Sequence, residues 1–502
     1  MNLERLRDRA QAFTEDVSRE AYLAYSGLKP EVALQAIYAR YPDIFTAETL
    51  GECIARFHGA ADGTEERRGA RMMLEWQVES VVGRQLAELD EREVGLENEA
   101  VVRLADGTVI PYQRAAIDIA NSGDASDREA IDVARARVVE DTFAPLRLER
   151  LHRERDAVES LGIASGYNSA FETVSGVSLG TLAVECEAFL NDTEPMWKSV
   201  LAERLRDFGI ARDAATRADS LAMFRLREFD DAFPGSAMEA VIRRNCAEMN
   251  LDSTAAGHIT FDIGDRPGKR PRAFCSPVRV PEEVYLVLRP HGGQADYGTF
   301  LHELGHALHF ANMRADYPFE YRWLGDNSVT EAYAMLFDHR MQQREWLQRY
   351  TGLNRNRTVA YLRLAGFEEL HFIRRYCAKL LYEIQVYGGG ASWQSLPGIY
   401  VEMLGSATGF RYRRADAFMD LDARFYSTRY LRAWQLQSLL DESLTERFNE
   451  DWWRNPAAGP WIVGDLFAHG QRESADEIAL RAAGARLSFA PLVRKIESLL
   501  DS

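Results

Sequence analysis

The chain has 502 residues, of which 46% are hydrophobic and 27% charged, a composition typical of a globular protein with a large core. Its formal net charge of −17 argues against nucleic acid as a partner, because that affinity comes mostly from lysine and arginine on phosphates. The sequence has neither an apolar run of about 18 residues nor an apolar signal segment, so we expect a cytoplasmic protein without a membrane partner. The five scattered cysteines indicate neither a disulfide framework nor a thiolate zinc site.

Most predicted elements are helices. Apolar side chains recur at helical spacing over residues 66–90, which predicts an amphipathic helix. β-Branched residues then flank the Asp106-Gly107 pair, a pattern that predicts a short β-hairpin between Val101 and Pro111.

A boundary is predicted at residues 120–126, where small and polar residues interrupt the helical pattern. Ser126 to Glu129 has the pattern of a capping box that opens a long helix. We therefore predict an N-terminal helical subdomain with a β-hairpin over 1–124 and a helical body over 125–502.

One strand stands out in the body, Glu283 to Arg289. The stretch from Gly257 to Pro277, rich in glycine, proline and charge, separates it from the preceding helices. A glycine-containing loop follows the strand and leads into the segment that is richest in functional residues.

That segment contains His302-Glu303-x-x-His306. On a helix, positions i and i+4 lie on the same face, so both imidazoles can reach one metal ion while Glu303 lies beside a metal-bound water. The longer motif HExxHxxGxxH is absent, because position 312, where it requires a third histidine, is Asn312. His309, also near this face, is expected to pack or to line a pocket rather than to bind the metal.

A catalytic zinc site normally has three protein ligands, so the sequence must supply one more. The downstream candidates are carboxylates, namely Asp316, Glu320, Asp326, Glu331 and Asp338. Glu331 begins a periodic helical run and can point into the site, but Ser328 to Glu331 also fits a capping box. Asp338, seven residues later, either orients a ligand imidazole or is a solvated surface residue.

Further on, Tyr426, Tyr430 and Trp434 are spaced by four residues on a predicted helix. From spacing alone they form either an aromatic core stripe or part of a site. Nearby arginines are either solvated or ligands of a substrate carboxylate, namely Arg424, Arg429 and Arg432.

The chain resembles the thimet-oligopeptidase and oligoendopeptidase-F family of gluzincin-type zinc peptidases. The resemblance rests on Arg266 to Cys275, the strand at 284–288, His302 to His309, Thr330-Glu331-Ala332 and the tyrosine motif at 424–434. It implies a mainly α fold: a large helical body that encloses a deep cleft, with a small β-sheet next to the HExxH helix. Arg424 departs from the pattern, since these relatives usually have histidine there.

The resemblance also implies the site. His302, His306 and Glu331 would bind one Zn²⁺ per chain, with Glu331 on a helix over 328–349 and Asp338 behind the ligands. Glu303 would act as general base, and Tyr430, with Tyr426, would stabilise the oxyanion. Short unfolded peptides would be the substrates. Independently of the resemblance, we expect the strand at 283–289 to offer an open edge on which an extended peptide adds as a further strand.

The sequence leaves two alternatives open. The Tyr426/Tyr430 spacing also resembles carboxypeptidase Taq relatives, which implies a metallocarboxypeptidase. The other alternative is an inactive, peptide-binding relative of these enzymes, for which Arg424 leaves room.

Overall fold

The computed structural model describes residues 1–501 and is mainly helical. Over this range it contains 22 α-helices and five short strands, arranged as a two-stranded and a three-stranded sheet. The predicted fold class, mainly α with a small sheet next to the HExxH helix, is confirmed. None of these helices alone is long and apolar enough to cross a membrane, whereas the bent pair Tyr167–Ser175 and Leu179–Asp192 meets that criterion by length and composition only.

The N-terminal region contains the predicted hairpin. Its strands pair antiparallel, with Val102 opposite Ile110, and Gly107 in the turn has a φ of 90° that favours glycine. The elements in chain order are α1 (Leu3–Tyr25), α2 (Leu34–Arg40), α3 (Ala47–Gly59), α4 (Glu65–Glu99), β1 (Val101–Arg103), β2 (Val109–Pro111) and α5 (Tyr112–Asn121).

Seven further helices precede the second sheet. The first begins at Ala125 with Asp124 as its N-cap, two residues before the predicted cap, because the Asp124 carboxylate accepts the backbone N–H groups of Ser126 and Asp127. The helices are α6 (Ala125–Val138), α7 (Ala144–Ser160), α8 (Tyr167–Ser175), α9 (Leu179–Asp192), α10 (Glu194–Asp207), α11 (Arg217–Met223) and α12 (Gly235–Glu248).

The second sheet contains β3 (Ile259–Ile263), β4 (Phe274–Arg279) and β5 (Glu283–Leu288) in the order β3-β5-β4. β5 is the predicted strand, and it pairs parallel with β3 and antiparallel with β4. The prediction of an open edge on this strand is therefore wrong, because β5 is central and the edges belong to β3 and β4. Both strands fall within or overlap residues 257–277, which were predicted from the sequence to be a loop between the helices and β5.

Next come α13 (Gln294–Ala311), α14 (Phe319–Trp323) and α15 (Asn327–Asp338). α13 and α15 cross in close contact at Gly305, where an added Cβ would lie 2.5 Å from the Cα of Ala334. Glycine is thus required at this crossing. It lets α15 approach the face of α13 that presents His302 and His306.

The single helix predicted over 328–349 is divided in the structure. α15 ends at Asp338, a 3₁₀ turn (His339–Gln342) follows it, and a new helix begins at Arg344. The C-terminal helices are α16 (Arg344–Tyr350), α17 (Arg355–Gly388), α18 (Leu396–Thr408), α19 (Tyr426–Phe448), α20 (Ala458–Trp461), α21 (Ala475–Ala483) and α22 (Ala490–Leu500).

The largest hydrophobic cluster extends from Val82 on α4 to Leu500 on α22 and includes the buried faces of α13, α15, α17 and α19. A second cluster packs α1 and α3 against α4, with Phe319 from α14. α4 contributes to both clusters. The division into 1–124 and 125–502 stays a prediction.

Candidate metal centre

Three side chains converge where α13 and α15 meet. The Nε2 atoms of His302 and His306, one turn apart on α13, are 3.2 Å from each other. Oε2 of Glu331, from α15, lies 3.5 Å from each of these nitrogens. The three residues form a group able to hold a metal ion.

The donor atoms fit such an ion in spacing and in chemistry. Oε2 of Glu331 is buried and has no hydrogen-bond partner, although its side chain is only 5% exposed. A buried carboxylate oxygen without a partner is unusual, because desolvation then goes uncompensated. Tetrahedral zinc with bonds of about 2.0–2.1 Å holds its ligand atoms roughly 3.3 Å apart, close to the spacing found here.

The other ring nitrogens are held by partners that orient the imidazoles. Nδ1 of His302 lies 2.8 Å from Oδ2 of Asp338, and Nδ1 of His306 lies 2.9 Å from Oγ1 of Thr330. A proton on each Nδ1 leaves the Nε2 lone pair directed at the metal position. Asp338 thus contacts the imidazole of His302, which is the first of its two sequence alternatives, and its role at a metal stays a prediction. The contact of Thr330 with His306 was not anticipated.

Charge interactions within the centre lower the pKa of Glu331 and raise the pKa of His302. Burial alone would raise the pKa of Glu331, but His302 and His306 hold it far below the usual 4.5. Burial likewise acts to lower the pKa of His302, yet Asp338 and Glu331 raise it well above 6.5. A metal ion at this position therefore competes with a proton on His302.

Glu331 does not act as a helix cap. The N-cap of α15 is Asp326, whose side chain accepts the backbone N–H of Ser328. The second carboxylate oxygen of Glu331, Oε1, instead accepts a hydrogen bond of 2.8 Å from the hydroxyl of Tyr426. The capping alternative is thus excluded by the geometry, and the carboxylate faces the imidazoles.

Tyr426 and Tyr430 occupy different positions beside the centre. Their ring centroids are 5.2 Å apart on α19, but Tyr426 is bonded to Glu331, whereas Tyr430 lines the cleft with Trp434. The two residues before α19, Arg424 and Phe425, have positive φ values of 55° and 53°. This left-handed turn, uncommon for residues other than glycine, sets the direction in which α19 begins.

A buried chain of carboxylates and imidazole extends behind His302. Asp338 uses Oδ1 to bind Nδ1 of His339 at 2.5 Å, and Nε2 of His339 lies 2.9 Å from Oε1 of Glu369 on α17. Burial acts against the charged imidazole, but the two carboxylates outweigh it and raise the pKa of His339 to about 9. The chain therefore fixes Asp338, and through it the ring of His302.

The centre opens into a cleft of about 720 Å³. His302, Glu303 and Tyr430 line it, together with Arg272 and Ala273 from the segment before β4. Within residues 1–501, Glu303 has no hydrogen bond or ion pair to another side chain, so its carboxylate is free to act on a bound molecule. Sequence reasoning did not identify Arg272 as a cleft residue, because only the fold brings this segment to Glu303.

His309 and the arginines near the tyrosine motif already have partners within the protein. His309 is fully buried, its Nε2 lies 3.2 Å from the carbonyl oxygen of Gly470, and burial lowers its pKa to about 3. The three arginines around the tyrosine motif each form ion pairs with carboxylates of the protein. Arg424 pairs with Glu79, and Arg429 pairs with Glu75 and Asp326. Arg432 pairs with Asp326 and Asp476, so none of the three guanidinium groups is free of a carboxylate partner.

Comparison with known proteins supports the fold. No protein-family model matches the chain, and no curated protein matches its sequence. A solved structure described as "BsuCP Crystal Structure" is similar to it with a TM-score of 0.62 and 13% sequence identity, and the match covers 99% of this chain and 97% of that one. At this identity the likeness shows a shared fold over nearly the whole length of both chains.

Proposed function

We propose that this protein is a zinc-dependent metallopeptidase that hydrolyses peptide bonds in short, unfolded peptides. The observation that carries the proposal is the convergence of His302, His306 and Glu331 around an unpartnered carboxylate oxygen, next to the free carboxylate of Glu303. The fold shared with BsuCP, a carboxypeptidase by its name, supports the class. One zinc ion per chain is part of the proposal.

Zinc held by these three residues would polarise the scissile carbonyl and lower the pKa of a water molecule. Glu303 takes the proton from the attacking water and then delivers it to the leaving amine. Its lack of other partners keeps the carboxylate available for both steps. Asp338 and Thr330 hold the imidazoles in the tautomer that binds metal, as their distances of 2.8 and 2.9 Å indicate.

The oxyanion that develops during attack needs a hydrogen-bond donor. Tyr430 faces the cleft beside Arg272, whereas the hydroxyl of Tyr426 already donates to Glu331. Burial raises the pKa of Tyr430 well above 10, so its hydroxyl stays protonated and can donate. We therefore assign oxyanion stabilisation to Tyr430 and the holding of the third ligand to Tyr426.

Peptide binding is proposed along β4 rather than β5. β4 is an edge strand, and Ala273 just before it lines the cleft. β4 also packs against α13, the helix that carries Glu303. Burial, and secondarily the charge of Glu303, raises the pKa of the Cys275 thiol on this strand. An extended peptide can thus add to β4 through main-chain hydrogen bonds, which tolerate many sequences.

The class is tested by metal analysis together with hydrolysis of a mixed peptide library. The purified protein should hold about one zinc per chain, and a chelator should abolish cleavage that added zinc restores. A zinc-loaded protein that binds library peptides but cuts none would support the inactive peptide-binding alternative. The predictions of a cytoplasmic location and of no nucleic-acid partner remain predictions from the sequence.

The similarity to BsuCP favours a more specific activity, that of a carboxypeptidase. Digestion of an N-acetylated peptide and of its C-amidated counterpart separates the two modes. A carboxypeptidase cleaves only the peptide with a free C-terminal carboxylate, whereas an oligopeptidase that cuts internal bonds cleaves both.

A further inference from the structure

The cleft contains one arginine without a carboxylate partner. Of the arginines that line it, Arg225 is paired with Asp230 at 2.7 Å, Arg375 with Asp420, and Arg217 with Asp416 at 3.8 Å. Arg272 forms no ion pair with any residue over 1–501, and its side chain is exposed within the cleft. It is therefore the cleft guanidinium that is available to a ligand.

Arg272 lies beside the groups that would act on the scissile bond. Burial acts to lower its pKa, but Tyr430, Tyr376 and Glu303 raise it, and Tyr430 also shares a hydrogen bond with the guanidinium. The guanidinium therefore stays charged next to the general base and the oxyanion donor. Its neighbour Ala273 is buried and leads directly into β4. A peptide bound along β4 thus passes this guanidinium close to the reacting carbonyl.

We propose that Arg272 binds the C-terminal carboxylate of the substrate and makes the enzyme a carboxypeptidase that releases single residues. The guanidinium presents N–H donors in a planar fork that matches a carboxylate in two parallel hydrogen bonds. An extended residue spans only about 3.3–3.6 Å, so a carboxylate held beside Glu303 and Tyr430 is separated from the scissile bond by one residue. This inference rests on the proposed peptidase function and adds the substrate group that it selects.

Other positively charged groups are less suited to this role. The candidates from the sequence are all paired with carboxylates on α4, before α15 or on α21, namely Arg424, Arg429 and Arg432. His371 lines the cleft, but burial and the neighbouring arginines lower its pKa well below 6.5, so it carries no charge at neutral pH. Arg272 combines a full charge, the absence of a carboxylate partner and proximity to Glu303, and its remaining N–H groups are available beside the one that contacts Tyr430.

Binding tests the proposal without turnover. In the zinc-loaded Glu303→Gln protein, we expect an N-acetylated peptide with a free C-terminus to bind about 100-fold more tightly than its amide, since hydrogen bonds between ions are strong. Adding Arg272→Gln should remove that preference and leave binding of the amide unchanged. Arg314→Gln, which changes an exposed arginine paired with Asp316, is the matched control and should keep the preference.

Kinetics on the otherwise native enzyme separate this role from others. For Arg272→Gln we expect kcat/KM on the free-acid peptide to fall about 100-fold, mainly through KM, and Arg272→Lys to be intermediate because it keeps the charge but loses the fork. An equal loss on the acid and the amide would place Arg272 at the oxyanion and overturn the proposal. Melting temperatures of the variants check that each is folded.

Failure of the inference can be told apart from failure of the proposed function. A wild-type enzyme that cleaves acid and amide peptides equally, with no change in Arg272→Gln, overturns the carboxylate assignment and leaves the peptidase intact. A zinc-loaded wild type that cleaves no peptide overturns the proposed function instead. In that case the acid-to-amide binding ratio still decides whether Arg272 recognises a carboxylate.

Discussion

The hydroxyl of Tyr426 donates a hydrogen bond of 2.8 Å to Oε1 of Glu331. The carboxylate thereby uses one oxygen for the tyrosine and keeps the other, Oε2, 3.5 Å from both imidazoles. A tyrosine on α19 thus fixes the rotation of Glu331, the proposed third ligand, on α15. Tyr426 acts on the metal position through Glu331, whereas Tyr430, one turn later, faces the cleft.

Tyr426→Phe should weaken zinc binding by about 10 to 100-fold, because partners that orient ligands commonly contribute that much. Tyr430→Phe serves as the comparison, since it should keep wild-type zinc affinity and lower kcat by about 100-fold through loss of an oxyanion donor. Competition with a chelating dye measures affinity, and steady-state kinetics measures kcat. The reverse pattern in the two variants would contradict the division of roles.

Asp338→Asn should also weaken zinc binding by about 10 to 100-fold. The amide cannot supply the charge that holds a proton on Nδ1 of His302, so the ring is less well oriented and less basic. Asp316→Asn, at an exposed residue paired with Arg314, is the control and should leave affinity unchanged. Identical affinities in both variants would remove Asp338 from the site.

Glu303→Gln should retain about one zinc per chain and lose turnover by roughly 1,000-fold, the order expected for loss of a general base. The carboxylate is no ligand in this arrangement, so metal content and melting temperature should match the wild type. Glu282→Gln, at an exposed residue before β5, controls for the loss of one negative charge. Wild-type turnover in Glu303→Gln would rule out the general-base assignment.

The His339 imidazole should make stability depend on pH. Its folded-state pKa of about 9 lies above the unfolded value of 6.5, so its contribution is full below pH 6.5 and is lost as the pH rises towards 9. The difference corresponds to on the order of 3 kcal/mol. Denaturant unfolding of the metal-free protein across this range should show the fall, and His339→Gln should reduce it; equal slopes in both proteins would contradict the prediction.

The sequence alone determined the parts of the protein that depend on local spacing. The i, i+4 histidines with Glu303 require only a helix to share a face, and the Asp106-Gly107 turn requires only its flanking strands, so both follow from neighbouring residues. Glu331 was one of five candidate carboxylates by spacing, and the family resemblance singled it out.

Only the tertiary structure decided the remainder, because it depends on contacts between segments that are distant in sequence. The packing of β3 and β4 on either side of β5 made the predicted open strand central. The close crossing at Gly305 brought α15 onto the histidine face, and α19 supplied the hydroxyl that holds Glu331. The same folding placed Arg272 beside Glu303, since no local pattern encodes which distant segment will line a cleft.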